Sequence, residues 1–178
     1  MELIEGIQTR RSIRKFQDKA VPRDVLEHVV AAASYAPSWK NTQISRYIAI
    51  EGREKIDAVA KEYASFNTRT LSTAPLLIAQ TCVTKRSGYE RDGSFTTDRG
   101  AGWEMYDCGI AAQTFCLAAH EAGLGTVILG IFDRLALQEH LNLPEGQELV
   151  ALIAVGYPDE EPKAPRRKGV ADLLTYAE

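Results

Sequence analysis

A chain of 178 residues is long enough for one domain with a substantial core. A net charge of −3 argues against general affinity for nucleic acid, and no apolar run approaches the roughly 18 residues a membrane helix requires. The cysteines (Cys82, Cys108, Cys116) form no CxxC pair and the histidines (His28, His120, His140) lie far apart in helical patterns, so buried thiols are expected rather than a disulfide framework or metal site.

Met1 leads directly into an amphipathic pattern, Glu2 to Gln8, without the features of a signal peptide, so a cytoplasmic location is expected. Leu3, Ile4 and Ile7 fall on one face of that predicted helix. The next stretch, TRRSIRKF (Thr9 to Phe16), concentrates Arg10, Arg11, Arg14 and Lys15 around the hydroxyl of Ser12. Ile13 and Phe16 interrupt the charges. Apolar anchors of this kind pin a backbone while guanidinium forks converge on one anion, so Arg10, Arg11 and Ser12 are candidates for a phosphate and Arg14 for a point further along the same ligand. A solvated basic loop is the alternative for the stretch taken alone.

Pro22 suits the first turn of a helix, and Val25, Leu26, Val29, Val30 and Ala33 continue it until Pro37 forbids extension. Pro37 to Gln43 (PSWKNTQ) is a loop of amides, a hydroxyl and an indole, groups that recognise a planar heteroaromatic; Trp39 plugging a core edge is the alternative. A strand is predicted over Arg46 to Glu51, a helix over Glu54 to Ala64 and a buried strand over Ala74 to Val83. Lys85 to Gly102 has no apolar period and reads as a lid or substrate-binding segment.

The strongest helix, Trp103 to Ala122, has a face of Met105, Cys108, Gly109, Ala112, Phe115, Cys116 and Ala119. Such small side chains allow close helix packing, at the centre of the fold or between subunits. A strand over Gly125 to Phe132 contains Gly130, which marks a place for close approach by ligand or backbone. A short helix over Arg134 to Leu141 and a strand over Glu148 to Tyr157 follow. From Pro158 the chain becomes proline-rich and basic, a tail either disordered or laid over a surface. The class predicted is α+β, a sheet flanked by helices.

There is no P-loop, no complete dinucleotide fingerprint and no GxSxG elbow, so an enzyme built on this chain would take its chemistry from a cofactor. RRSIRKF, PSWKNTQ, DCGIAAQTFCLAAHEAGLG, TVILGIF and PRRK, in that order, together resemble the FMN-dependent nitroreductase family over nearly the whole chain. The resemblance implies a central mixed or antiparallel sheet in residues 1–157, and a 158–178 extension that wraps the partner of an intertwined homodimer. It also implies FMN as cofactor and NADH or NADPH as donor. Hydride would pass by a ping-pong route through flavin N5 to a small nitroaromatic, quinone or similar acceptor, with no metal and no catalytic side chain. Arg10, Arg11 and Ser12 would hold the FMN phosphate and ribityl, and Arg14 the pyrimidine edge. Pro37, Ser38, Trp39 and Asn41 would come from the partner. Leu129 and Gly130 would face the flavin, and Arg166 and Lys168 would return to the phosphate. Two departures, Trp39 where many members have serine and Leu129 where some have an acidic residue, bear on the acceptor. A non-catalytic anion- or nucleic-acid-binding domain using the Arg10–Arg14 cluster is the competing function class.

Overall fold

The computed structural model describes residues 2–177; Met1 and Glu178, the outermost residues of the two expected segments, lie outside it. Helix α1 spans Leu3–Thr9, α2 Arg23–Ala33, α3 Arg53–Glu62, α4 Thr68–Leu71, α5 Gly102–Glu121 and α6 Arg134–His140. The strands are β1 Ser45–Glu51, β2 Leu76–Val83, β3 Gly125–Leu129 and β4 Gln147–Gly156. They form one sheet in the order β1-β2-β4-β3, with every named pair antiparallel.

Both faces of this sheet are covered. Leu77 and Ala79 of β2 and Leu152 and Ala154 of β4 pack with Ile56, Leu71 and Leu137 from α3, α4 and α6. Their neighbours Leu76, Ile78, Ile153 and Val155 pack with Val29, Ala33 and Phe115 from α2 and α5. Alternation along a strand sends adjacent side chains to opposite faces, so burial on both sides requires the apolar runs Leu76 to Ala79 of β2 and Leu149 to Val155 of β4. The result is a three-layer α+β fold.

Four features differ from the sequence reading. The apolar side chains of α1 face outward; Leu3 is 71% exposed. β3 stops at Leu129, leaving Gly130 outside the sheet, where a Cβ would meet no atom within 4 Å. Within β3 the glycine that packing requires is Gly125, where a Cβ would lie 2.6 Å from Ile13. Residues 65–71, given no element in the sequence, form a 3-10 turn and α4, whose end is held by Arg53 donating to the carbonyls of Leu71 (2.6 Å), Ser72 (3.0 Å) and Ala74 (3.2 Å). On α5, Cys108, Ala112, Phe115, Cys116 and Ala119 are buried as expected. Met105 and Gly109 are exposed, however, and the carboxylates of Glu104 and Asp107 are buried. The helix period alone does not reveal which side of α5 meets the 85–101 segment. All three cysteines are buried and free.

No helix among the described residues is long and apolar enough to cross a membrane. No group of three or more His, Cys, Asp or Glu among them could hold a metal.

Candidate functional site

After α1 the chain becomes extended and runs beside β3: Ser12 bridges Thr126, and Ile13 N donates to Thr126 O at 3.0 Å. Ile13 and Phe16 are buried, the anchoring role their spacing predicts. Extended backbone alternates its side chains. Arg10, Ser12 and Arg14 therefore line one cavity of about 160 Å³, together with Gln113 and Cys116 of α5 and Thr126 and Ile128 of β3. Arg10 also borders the cavity that Arg11 lines, and its Nε is buried without a hydrogen-bond partner among the described residues. A buried guanidinium N–H lacking an acceptor costs free energy unless a ligand supplies one.

Arg11 points the other way. Its Nη1 donates to the carbonyls of Gln8 (2.6 Å) and Arg10 (2.9 Å) at the end of α1, satisfying acceptors that a helix C-terminus leaves open. It lines a second cavity, of about 280 Å³, with His120 and Glu160. His120 is held at 2.9 Å from Thr9 Oγ1; burial, followed by the charges of Arg10 and Arg11, lowers its pKa.

Arg14 and Lys15 also border a cavity of about 480 Å³, with Arg69, Thr70, Ser72, Thr73 and the carboxylate of Glu160 around it. Arg69 has no sequence signal of its own, because α4 has none. Gln113 and Thr126 each leave one, as single polar residues inside the apolar runs AAQTF and GTVIL. The start of the tail braces the arginine segment: the Glu160 carboxylate accepts from Arg14 N (2.5 Å) and Lys15 N (3.2 Å), and Asp159 N donates to Lys15 O (3.0 Å).

The amide-bearing loop forms a 3-10 turn at Trp39–Asn41. Three of its non-glycine residues have positive φ: Lys40 (45°), Asn41 (55°) and Gln43 (48°). Such conformations cost of order 1–3 kcal/mol each and cluster at functional sites. Ser38 Oγ accepts from Gln43 N at 2.9 Å, and the Trp39 indole lies 4.7 Å from that of Trp103. Pro37 and Ser38 line a largely apolar cavity of about 370 Å³ between α2 and β1. Asn41 and Pro37 are exposed.

A single chain does not unite these two groups. Thr126 is registered with Val155, Leu76 and Glu51 across the sheet, whereas the turn enters β1 at Ser45, at that strand's other end. The groups thus occupy diagonal corners, roughly 14 Å apart across three strand spacings and about 20 Å along the strands. Leu129 is buried, Gly130 is exposed, and Ile128 is the β3 residue that reaches the arginine cavity. Arg166 and Lys168 lie in the exposed tail and make no hydrogen bond or ion pair among the described residues.

Solved structures share this fold. A nitroreductase family protein from Streptococcus pneumoniae superposes with a TM-score of 0.86 at 22% identity, covering 99% of this chain and 100% of its own. A nitroreductase from Desulfovibrio desulfuricans, solved in complex with FMN, matches at TM-score 0.80 and 27% identity, covering 100% of this chain and 98% of its own. The fold is therefore the nitroreductase fold. In sequence, the nitroreductase family model matches residues 7–157. A Methanothermobacter thermautotrophicus relative, named for NADH dehydrogenase and NAD(P)H nitroreductase activity, is 31% identical over 91% of this chain and 80% of its own. The chain belongs to the nitroreductase family.

Proposed function

We propose that this protein is an NAD(P)H-dependent flavin oxidoreductase that holds FMN between two copies of the chain and reduces small acceptors such as nitroaromatics and quinones. The observation that carries this reading is Arg10, whose Nε is buried and without a partner among the described residues, lining one cavity with Ser12, Arg14 and Thr126. A phosphate would supply the missing acceptor and balance the cations. When bound, FMN supplies the two-electron chemistry, taking a hydride from NADH or NADPH and passing it to the acceptor.

The chain's residues position and tune. Arg10 and Ser12 bind the phosphate. Arg166 and Lys168, without partners among the described residues, are tail cations available to close over it. Arg14 and Arg69, which line one cavity, would present positive charge to the pyrimidine edge. Ser38, Trp39 and Asn41, with Pro37 shaping the turn, serve the other subunit's site, because diagonal corners of one sheet cannot meet on one ring system. Leu129 and Gly130 place the end of β3 beside the flavin. The exposed apolar residues of α1 and of the tail, including Tyr176 at 82%, are the surface that dimerisation would cover.

Chromatography of heat-released flavin tests the reading. FMN is the expected product; FAD, or no flavin after reconstitution, refutes it. Arg14 carries a mechanistic prediction. Reduction builds negative charge on the flavin, and a fixed cation stabilises that state more than the oxidised one. One charge-assisted hydrogen bond is worth about 1.5–3 kcal/mol. At about 30 mV per 1.4 kcal/mol, Arg14→Gln should lower the two-electron midpoint by roughly 30–65 mV in a spectroelectrochemical titration. An unchanged midpoint would remove Arg14 from this role and leave Arg69 as the tuning cation. Arg11 has a different expectation: Arg11→Ala should cost about 1–2 kcal/mol of stability through the end of α1. FMN affinity, measured by fluorescence quenching, should stay nearly constant; a large loss of affinity would place Arg11 on the phosphate after all.

A further inference from the structure

Resting on the reading of the Trp39–Asn41 turn as half of an FMN site, we propose that Asp107 is the positioning residue that holds this turn in its strained form and couples it to the 85–101 segment. Asp107 lies in the second turn of α5 and is 4% exposed. A single carboxylate oxygen, Oδ2, accepts from Trp39 N at 2.9 Å and from Ser87 Oγ at 2.6 Å. One buried oxygen thus ties together the helix, the first residue of the turn and the start of the long irregular segment.

The turn requires such a restraint. Lys40, Asn41 and Gln43 hold left-handed backbone conformations that persist only where the surroundings over-determine them. The other ties are of different kinds. Ser38 to Gln43 closes the turn on itself and does not place it. Lys40 to Glu90, at 3.1 Å, is an ion pair between exposed side chains, the type that contributes little. The Trp39–Trp103 contact is apolar and permits sliding. Arg46 Nη1 donates to Gln43 O at 2.7 Å, but at an exposed position past the turn's end. Asp107 alone among these supplies a directional, buried, charge-assisted bond to the turn's backbone. The 85–101 segment is secured to the first turn of the same helix by Glu104 accepting from Lys85 N at 2.6 Å and by Trp103 Nε1 donating to Thr97 Oγ1 at 2.8 Å. Turn and segment are therefore one unit referenced to α5.

The chain's two tryptophans are Trp39 and Trp103, and their rings are tilted by 48°. Two close, inclined indoles give an exciton couplet in far-ultraviolet circular dichroism, which reports the turn's position in the full-length protein with or without flavin. Trp39→Phe supplies the baseline. Asp107→Ala should lose the couplet and weaken FMN binding by roughly tenfold or more, the loss expected for one charge-assisted bond. Asp107→Asn keeps an oxygen for the Trp39 N–H and should restore both. Ser87→Ala should keep the couplet while opening the 85–101 segment to limited proteolysis. If Asp107→Ala does not fold, Asp107→Leu preserves the volume without the acceptor and carries the same comparison. A wild-type couplet and FMN affinity in the folded Ala or Leu variant overturns the proposal, as does an Asn variant no better than Ala. Should the wild-type protein bind no FMN, the reading of the site fails, while the couplet still decides whether Asp107 holds the turn.

Discussion

An Arg10→Ala variant is expected to lose FMN while its flavin-free form remains as stable as the wild type, or becomes more stable. Arg10 Nε is buried with no acceptor, so the flavin-free fold carries a desolvated polar group that alanine removes. Binding suffers in the opposite sense. Two charge-assisted bonds to a phosphate are worth roughly 3–6 kcal/mol, which corresponds to a dissociation constant raised roughly 10²- to 10⁴-fold. Fluorescence titration measures the affinity, and thermal unfolding of the flavin-free protein measures the stability. A variant that binds FMN as tightly as the wild type would show that the phosphate lies elsewhere. One that binds normally but unfolds easily would make Arg10 a structural residue.

The second large effect concerns the tail, which has two parts. Residues 157–160 fasten the arginine segment of their own chain. Gln17 N donates to Tyr157 O (2.9 Å), Gln17 Nε2 to Pro158 O (2.8 Å) and Asp159 N to Lys15 O (3.0 Å), while Glu160 receives the N–H groups of Arg14 and Lys15. From Lys163 to Ala177 every residue is exposed. Its apolar side chains, among them Val170 at 74%, are uncovered in the single chain. A chain ending at Pro162 is therefore expected to stay folded but become monomeric and colourless. It loses the apolar surface that an obligate interface above about 2,000 Å² would use, and Arg166 and Lys168 with it. A chain ending at Tyr157 should lose, in addition, about four hydrogen bonds at about 1 kcal/mol each, lowering the unfolding temperature by roughly 10 °C. Light scattering, absorbance and calorimetry on the two truncations separate these roles. A yellow dimer from the chain ending at Pro162 would contradict the assignment of residues 163–177 to the interface.

Much of the local structure is legible in the sequence. The 3.6- and 2-residue periods locate α2, α3, α5, β1, β2 and β4 to within a few residues, because both depend on side chains close in sequence. Ile13 and Phe16 are readable as anchors from their places inside a charge run. α4 is not readable: residues 65–73 contain too few apolar positions to show a period, and Arg69 stays hidden with them.

The sequence by itself determined that a cationic, apolar-anchored segment and an amide-bearing turn exist, and that cofactor chemistry suits a chain without a nucleophile or metal motif. Only the tertiary structure decided where they lie. Strand order and register put the two groups at diagonal corners of the sheet. Extended backbone beside Thr126 turned Arg10, Ser12 and Arg14 into one cavity and sent Arg11 to the end of α1. Packing brought Arg69 to Arg14, Gln113 to Arg10 and Asp107 to Trp39 across long stretches of chain. Local periods carry no information about such pairings, because they arise from the long-range hydrogen-bond registry of β1-β2-β4-β3 and from which helix face each strand buries.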